Sequence, residues 1–148
     1  MTDLILDVFR LNGRLLIAGD RLVAELGLTS ARWQVLGAIA LADRPGPVSH
    51  LARFMGLSRQ AVQRVVNDLA DRGLVTFAPN PHHARAKLVL LTETGRDIYE
   101  RAHRMQVPWS NGLGDGLDAA SLQNALGIVR ALRERLEKEL LADVEEYT

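Results

Sequence analysis

The chain has 148 residues, of which 47% are apolar, 24% charged and only 5% aromatic, a size and composition that suit one cored domain and exclude a disordered or membrane-spanning chain. Its zero net charge hides an asymmetry: Arg44 to Arg104 carries 10 Lys/Arg against 5 Asp/Glu, and the flanks carry 8 against 13. A basic centre between acidic ends suits a polyanionic partner, although such a segment is also what a merely solvated face looks like.

No apolar stretch nears the roughly 20 residues that cross a bilayer. Met1-Thr2-Asp3-Leu4-Ile5 lacks a secretory leader's order, so a cytoplasmic chain without membrane contact is expected. The absence of cysteine excludes thiol nucleophiles, cysteinyl zinc and iron-sulfur clusters.

In chain order, apolar positions from Asp3 to Leu26 (Leu4, Ile5, Val8, Leu11, Leu15, Leu22, Val23, Leu26) predict a helix that Gly27 ends in a left-handed cap. A second helix starts at Thr29 or Ser30, runs through Trp33, Leu36 and Ile39, and breaks at Arg44-Pro45-Gly46-Pro47. Ser49 to Met55 forms a short helix, Gly56-Leu57 a corner, and Ser58 caps a helix that closes near Gly73. Leu74 to Phe77 and Lys87 to Leu91 read as a hairpin with the long loop Ala78 to Ala86. Thr92 caps a helix expected to stop at Pro108, followed by a glycine-rich loop from Ser110 to Gly116. Asp118 caps the last helix, whose stripe Leu122, Ala125, Leu126, Val129, Leu132, Leu136 and Leu140 opposes a charged face.

Val48 to Leu74 carries the most chemistry. A helix-turn-helix needs a small residue where its helices touch, a glycine at the turn and an apolar anchor on the second helix; Ala52, Gly56 and Val62 have that spacing. Leu51, Met55, Leu57, Val65, Val66 and Leu69 are expected to pack around them. The free side of Ser58 to Arg72 carries Gln60, Gln63, Arg64, Asn67 and Asp71, with 60, 64, 67 and 71 in one stripe. Arginine pairs with guanine N7 and O6, and glutamine or asparagine with adenine, so this face suits a major groove; the alternative is an ordinary solvated helix face. Ser58 and Arg59, at the helix N-terminus, are placed for phosphate contacts. The hairpin loop, with His82, His83, Arg85 and Lys87, can reach a neighbouring minor groove, where Arg85 suits the negative potential. The His pair reads as solvated rather than metal-ligating unless His50 or His103 folds close by.

The run Leu28-Thr29-Ser30-Ala31-Arg32-Trp33-Gln34-Val35-Leu36, then Ala52 to Gly56, Ser58-Arg59-Gln60-Ala61-Val62-Gln63-Arg64, Leu69, Gly73-Leu74-Val75, Asn80-Pro81, and Arg85 to Leu91-Thr92-Glu93-Thr94-Gly95, resembles the MarR family of winged-helix transcriptional regulators along nearly the whole chain. The resemblance implies a mainly α fold with a small β-hairpin wing (α+β), in which a winged helix-turn-helix (29–92) is flanked by N- and C-terminal dimerisation helices (1–28 and 93–148). It implies a homodimer that binds double-stranded DNA. Ser58, Arg59, Gln60, Gln63, Arg64 and Asn67 match its recognition-helix positions, Arg85 matches its wing arginine, and Lys87 stands beside it. Leu4, Val8, Leu126, Val129 and Leu136 would form the dimer interface. Family members are often released from DNA by a small aromatic, anionic effector, for which Trp33 offers an aromatic wall and Arg14 a carboxylate partner. Trp33 can equally be plain core, Arg14 a solvated or interface residue, and Trp109 either a crevice wall or a pin for its loop. Where the family often has an acidic residue two places before the wing arginine, this chain has His83, so a pH-dependent wing contact is expected.

No G-x-x-x-x-G-K-[ST], His-Glu-x-x-His or Gly-x-Ser-x-Gly motif is present, so neither catalysis nor a cofactor or metal is expected. The competing reading is a winged helix that binds a protein instead of DNA.

Overall fold

The computed structural model describes residues 1–83 and 85–146, with side chains through residue 140; the last two positions of the expected C-terminal segment 93–148 lie outside the described residues. Helix α1 (Thr2–Val23) tightens into a 3-10 turn, Ala24–Leu26, and ends at Gly27. Gly27 takes the left-handed φ of 68° and donates its N–H to the Ala24 carbonyl. In α2 (Ser30–Ala40), Thr29 caps by accepting from the Arg32 N–H. Ser30 is buried yet satisfied: its N–H donates to Asp20 Oδ1 (2.6 Å) and its hydroxyl to the Leu16 carbonyl (2.7 Å). Opposite lies Gly19, where a Cβ would meet Ser30 Oγ at 2.5 Å, so glycine permits the close α1–α2 crossing.

Helix α3 (Val48–Met55) stops at Gly56, φ 65°, whose N–H reaches the Ala52 and Arg53 carbonyls. Helix α4 (Arg59–Asp71) starts where Ser58 Oγ accepts the Ala61 N–H at 3.2 Å. Val62, Val66 and Leu69, one stripe of α4, are buried with Val35 and Leu36 of α2 and Leu51 and Ala52 of α3. Each such large aliphatic side chain contributes roughly 1.5–3 kcal/mol by leaving water. Leu57, expected in this packing, is instead exposed. Its N–H closes the turn onto the Ala52 carbonyl, which leaves its side chain outside.

Strand β1 (Val75–Ala78) pairs antiparallel with β2 (Leu88–Leu91), Val75 opposite Leu91 and Ala78 opposite Leu88. Gly46 adds a single bridge on the other side of β2, accepting the Val89 N–H at 3.0 Å. The Pro45-Gly46-Pro47 turn thereby becomes a one-residue third strand that seats the hairpin on the helices.

Thr92 joins hairpin to helix, its hydroxyl donating to the Gly73 carbonyl and accepting the Gly95 N–H. Helix α5 (Glu93–Leu113) does not stop at Pro108 but runs through it. A proline in a helix leaves the carbonyl four residues earlier without its donor; the helix continues all the same, Trp109 lies half-buried in the cavity described below, and the loop after α5 shrinks accordingly. Asp118 caps α6 (Ala119–Glu146), accepting the Ser121 N–H at 2.9 Å; the Ser121 hydroxyl first, and then that N–H, hold its carboxyl below the usual range. Internal packing divides the chain after Trp109, into Met1–Trp109 and a second unit that begins at Ser110.

Candidate nucleic-acid interface

Because Val62, Val66 and Leu69 fix which way α4 faces, Gln60, Arg64, Asn67 and Asp71 are turned outward and exposed. With Arg59, Gln63 and Asp68 they line one open concavity of about 730 Å³. Within it, Gln63 Nε2 donates to Asn67 Oδ1 at 2.9 Å. Spacing of four along a helix makes that amide pair available, and it orders both groups: the Asn67 amide nitrogen stays free to donate while its oxygen keeps one acceptor site. Ser58 spends an acceptor site on its cap and retains its hydroxyl proton for a phosphate.

A second cleft, about 340 Å³, lies between this helix and the hairpin, lined by Arg59 and Gln63, by Phe77, Arg85, Ala86 and Lys87, and by Pro47, Val48 and Ser49. Three of these side chains are cationic and none is acidic, so the cleft attracts a phosphate backbone. Asn80 organises the loop, donating from Nδ2 to the Ala86 carbonyl at 2.9 Å and accepting the His82 N–H at Oδ1. His82, His83, Arg85 and Lys87 are exposed. In the sequence Asn80 stood only within the hairpin loop and the family resemblance; its role as the loop's staple needed the fold.

Sequence reasoning missed one cluster entirely. Asp68 of α4 accepts from Arg32 Nε of α2 at Oδ2 and from Arg72 Nε at Oδ1, the latter at 3.1 Å. The hydrogen bond from Arg32, and then that from Arg72, hold its carboxyl below the usual carboxylate range against the opposing effect of burial. The signal was a salt-bridge spacing from Asp68 to Arg72; nothing local announced Arg32, 36 positions away.

Of the candidate effector residues, Trp33 lines a cavity of about 580 Å³ within Met1–Trp109, together with Trp109, Tyr99, Phe54, Met55, Leu15 and Leu16. Three amides, Asn12, Gln34 and Gln106, also line it, but no charged side chain does. Arg14 is exposed and does not line it. Leu4 and Val8 of α1, and Leu126, Val129 and Leu136 of α6, are all exposed. Among the described residues no three of His, Asp and Glu converge as metal ligands would.

Two helices meeting at a glycine turn, an outward polar stripe on the second, and a cationic hairpin beside it define a winged helix-turn-helix. Residues 26–86 match the family model described as MarR family. The chain is 38% identical over 136 residues to the uncharacterised protein Rv2011c of Mycobacterium tuberculosis, covering 92% of this chain and 94% of that one. Its fold is that of Sco5413, a MarR family transcriptional regulator from Streptomyces coelicolor (28% identity, TM-score 0.78, 93% and 95% covered). It is also that of CouR from Rhodococcus jostii RHA1, solved bound to p-coumaroyl-CoA (22% identity, TM-score 0.79, 88% and 91% covered). The chain belongs to the MarR family, and is thus a DNA-binding transcriptional regulator.

Proposed function

We propose that this regulator is a homodimeric repressor that reads a pseudo-palindromic operator and lets go when a small aromatic molecule binds. The carrying observation is the continuity of the polar face of α4 with the cationic cleft of the wing: Arg59 and Gln63 line both concavities. In this reading Arg64, Asn67, Gln60 and Gln63 read base edges in the major groove, Ser58, Arg59 and Lys87 hold phosphates, and Arg85 enters the adjacent minor groove. Two copies place their recognition helices about one helical turn apart, which demands an inverted repeat. Bound there, the dimer blocks access to a promoter.

Dimerisation would run through the exposed apolar stripes Leu4 and Val8 of α1 and Leu126, Val129 and Leu136 of α6, which a soluble monomer has no reason to display. The effector would occupy the cavity walled by Trp33 and Trp109. Its aromatic lining and its three amides suit a flat ligand with neutral polar groups, and with no cation in the lining a bare carboxylate would be poorly held there. That the similar CouR holds p-coumaroyl-CoA supports an aromatic effector. Such a ligand releases DNA only by favouring a spacing of recognition helices that the operator does not fit.

Selection of bound duplexes from a random pool tests this reading. An inverted repeat with half-sites about ten base pairs apart is expected. A lone half-site, or no enrichment over the starting pool, would count against the operator-reading dimer and favour a protein partner for the winged domain.

A further inference from the structure

Asp68 lines the same concavity as Arg64 and Asn67, an awkward place for a negative charge on a face meant for DNA, while Arg32 and Arg72 sit just outside that lining. The carboxylate is not left bare. Oδ2 accepts from Arg32 Nε, Oδ1 from Arg72 Nε, and the cluster carries a net single positive charge. Both arginines spend only Nε on the carboxylate, and among the described residues no hydrogen bond engages their terminal nitrogens. Arg32 comes from α2 and Arg72 is the C-cap of α4, so neither lies on the base-reading stripe.

We propose that Asp68 is a positioning residue that grips Arg32 and Arg72 so that their free terminal nitrogens clamp DNA phosphates beside the bases read by Arg64 and Asn67. A guanidinium held at Nε keeps its two Nη groups in fixed directions, the fork geometry that phosphate oxygens accept. An untethered arginine carries the same charge but loses rotamer freedom on meeting the backbone. The tether therefore favours one register of the protein on the duplex and adds little to random contacts.

The proposal rests on α4 facing DNA. Its test compares wild type, Asp68→Asn, Arg32→Gln and Arg72→Gln as full-length proteins, each against the selected operator and a scrambled duplex, across a salt series. Arg32→Gln and Arg72→Gln should each lower the log–log salt slope by about one and weaken binding without reordering preferences among operator variants. Asp68→Asn removes a negative charge, so simple electrostatics predicts tighter binding to any DNA. Positioning predicts the reverse for the operator, a loss of about five- to tenfold, with scrambled DNA unchanged or bound more tightly. Asp68→Asn combined with Arg32→Gln should lose less than the product of the single losses.

Melting and sedimentation of each variant separate lost positioning from lost fold; Arg72→Gln, at an exposed helix end, supplies the slope readout should Asp68→Asn unfold. Tighter binding of Asp68→Asn to both duplexes, or an unchanged slope in both arginine variants, would overturn the clamp while leaving DNA binding intact. Wild type without salt-steep binding would overturn the clamp and the DNA-facing reading together.

Discussion

At the residue scale, the exposed polar stripe of α4 assigns distinct tasks to side chains that look alike in a list. Arg64 projects outward with no ion pair among the described residues, free for the N7 and O6 of a guanine. Arg64→Ala should cost about 1–3 kcal/mol at the operator and less on random DNA. Equal losses on both, read by anisotropy, would make it a phosphate contact. Asp68 also carries a stability signature. Its folded-state pKa is depressed, so its pairing with Arg32 and Arg72 stabilises the fold above the unfolded carboxylate pKa of about 3.9 and fades as pH falls through the lowered folded value. Asp68→Asn should be less stable at neutral pH by no more than about 1 kcal/mol, since these groups are partly exposed and screened. Urea melts should show that gap closing below about pH 4; a gap that persists in strong acid would point to packing instead. His83 stands exposed on the wing. Operator affinity of His83→Ala, read by anisotropy, tests whether that imidazole takes part in the wing contact: a loss would place it there, and no change would leave it solvated.

At the scale of elements, caps and glycines made the helix boundaries legible: Thr29, Ser58, Thr92 and Asp118 cap where their short polar side chains predict. Gly27, Gly56 and Gly73 turn left-handed where the pattern ends. Gly95 is different. It is buried, with an αR-compatible backbone, and a Cβ there would collide with the Leu74 backbone carbonyl, so α5 starts this close to Leu74, just before β1, because the residue is glycine. Gly95→Ala should therefore cost about 1–3 kcal/mol of overpacking, despite alanine's better helix propensity, visible as a lowered melting temperature. An unchanged melting temperature would mean that the Leu74 carbonyl moves aside freely. What the sequence hid were contacts with no local signature. The Gly46 bridge to Val89 joins a proline turn to a strand 43 positions later. The Asn80 staple depends on a carbonyl six residues on, and Arg32 meets Asp68 only because α2 and α4 are packed by Leu36 and Val66. Pro108 misled because local propensity argues for a stop, yet α5 runs through it to Leu113. The outward polar face of α4 was legible because it combines periodicity with side-chain chemistry; the cavity proposed for an effector was half legible, in Trp33, because its amides lie on separated elements.

For the whole molecule, most of the apolar stripes that sequence periodicity placed on α1 and α6 stays exposed in the single chain, Leu11 at 57% and Leu136 at 59%, while Val23 at the end of α1 is buried. Surfaces of that kind call for a partner, which in the proposed dimer is a second copy. Leu126→Asp and Leu136→Asp, each placing a charge in the apolar seam, should sediment as monomers and lose operator binding together. A variant that stays dimeric would show that α6 packs elsewhere. The central claim is that a dimer reads DNA sequence through α4, and its most direct measurement is fluorescence anisotropy of wild type and Arg64→Ala on the DNA upstream of the protein's own gene and on scrambled DNA, across 50 to 200 mM salt. The account predicts that wild type prefers the upstream DNA, with affinity falling by about 10³ to 10⁵ over that range if six to ten phosphates are neutralised, and that Arg64→Ala erodes the preference. Equal, shallow binding of both proteins to both duplexes would contradict it.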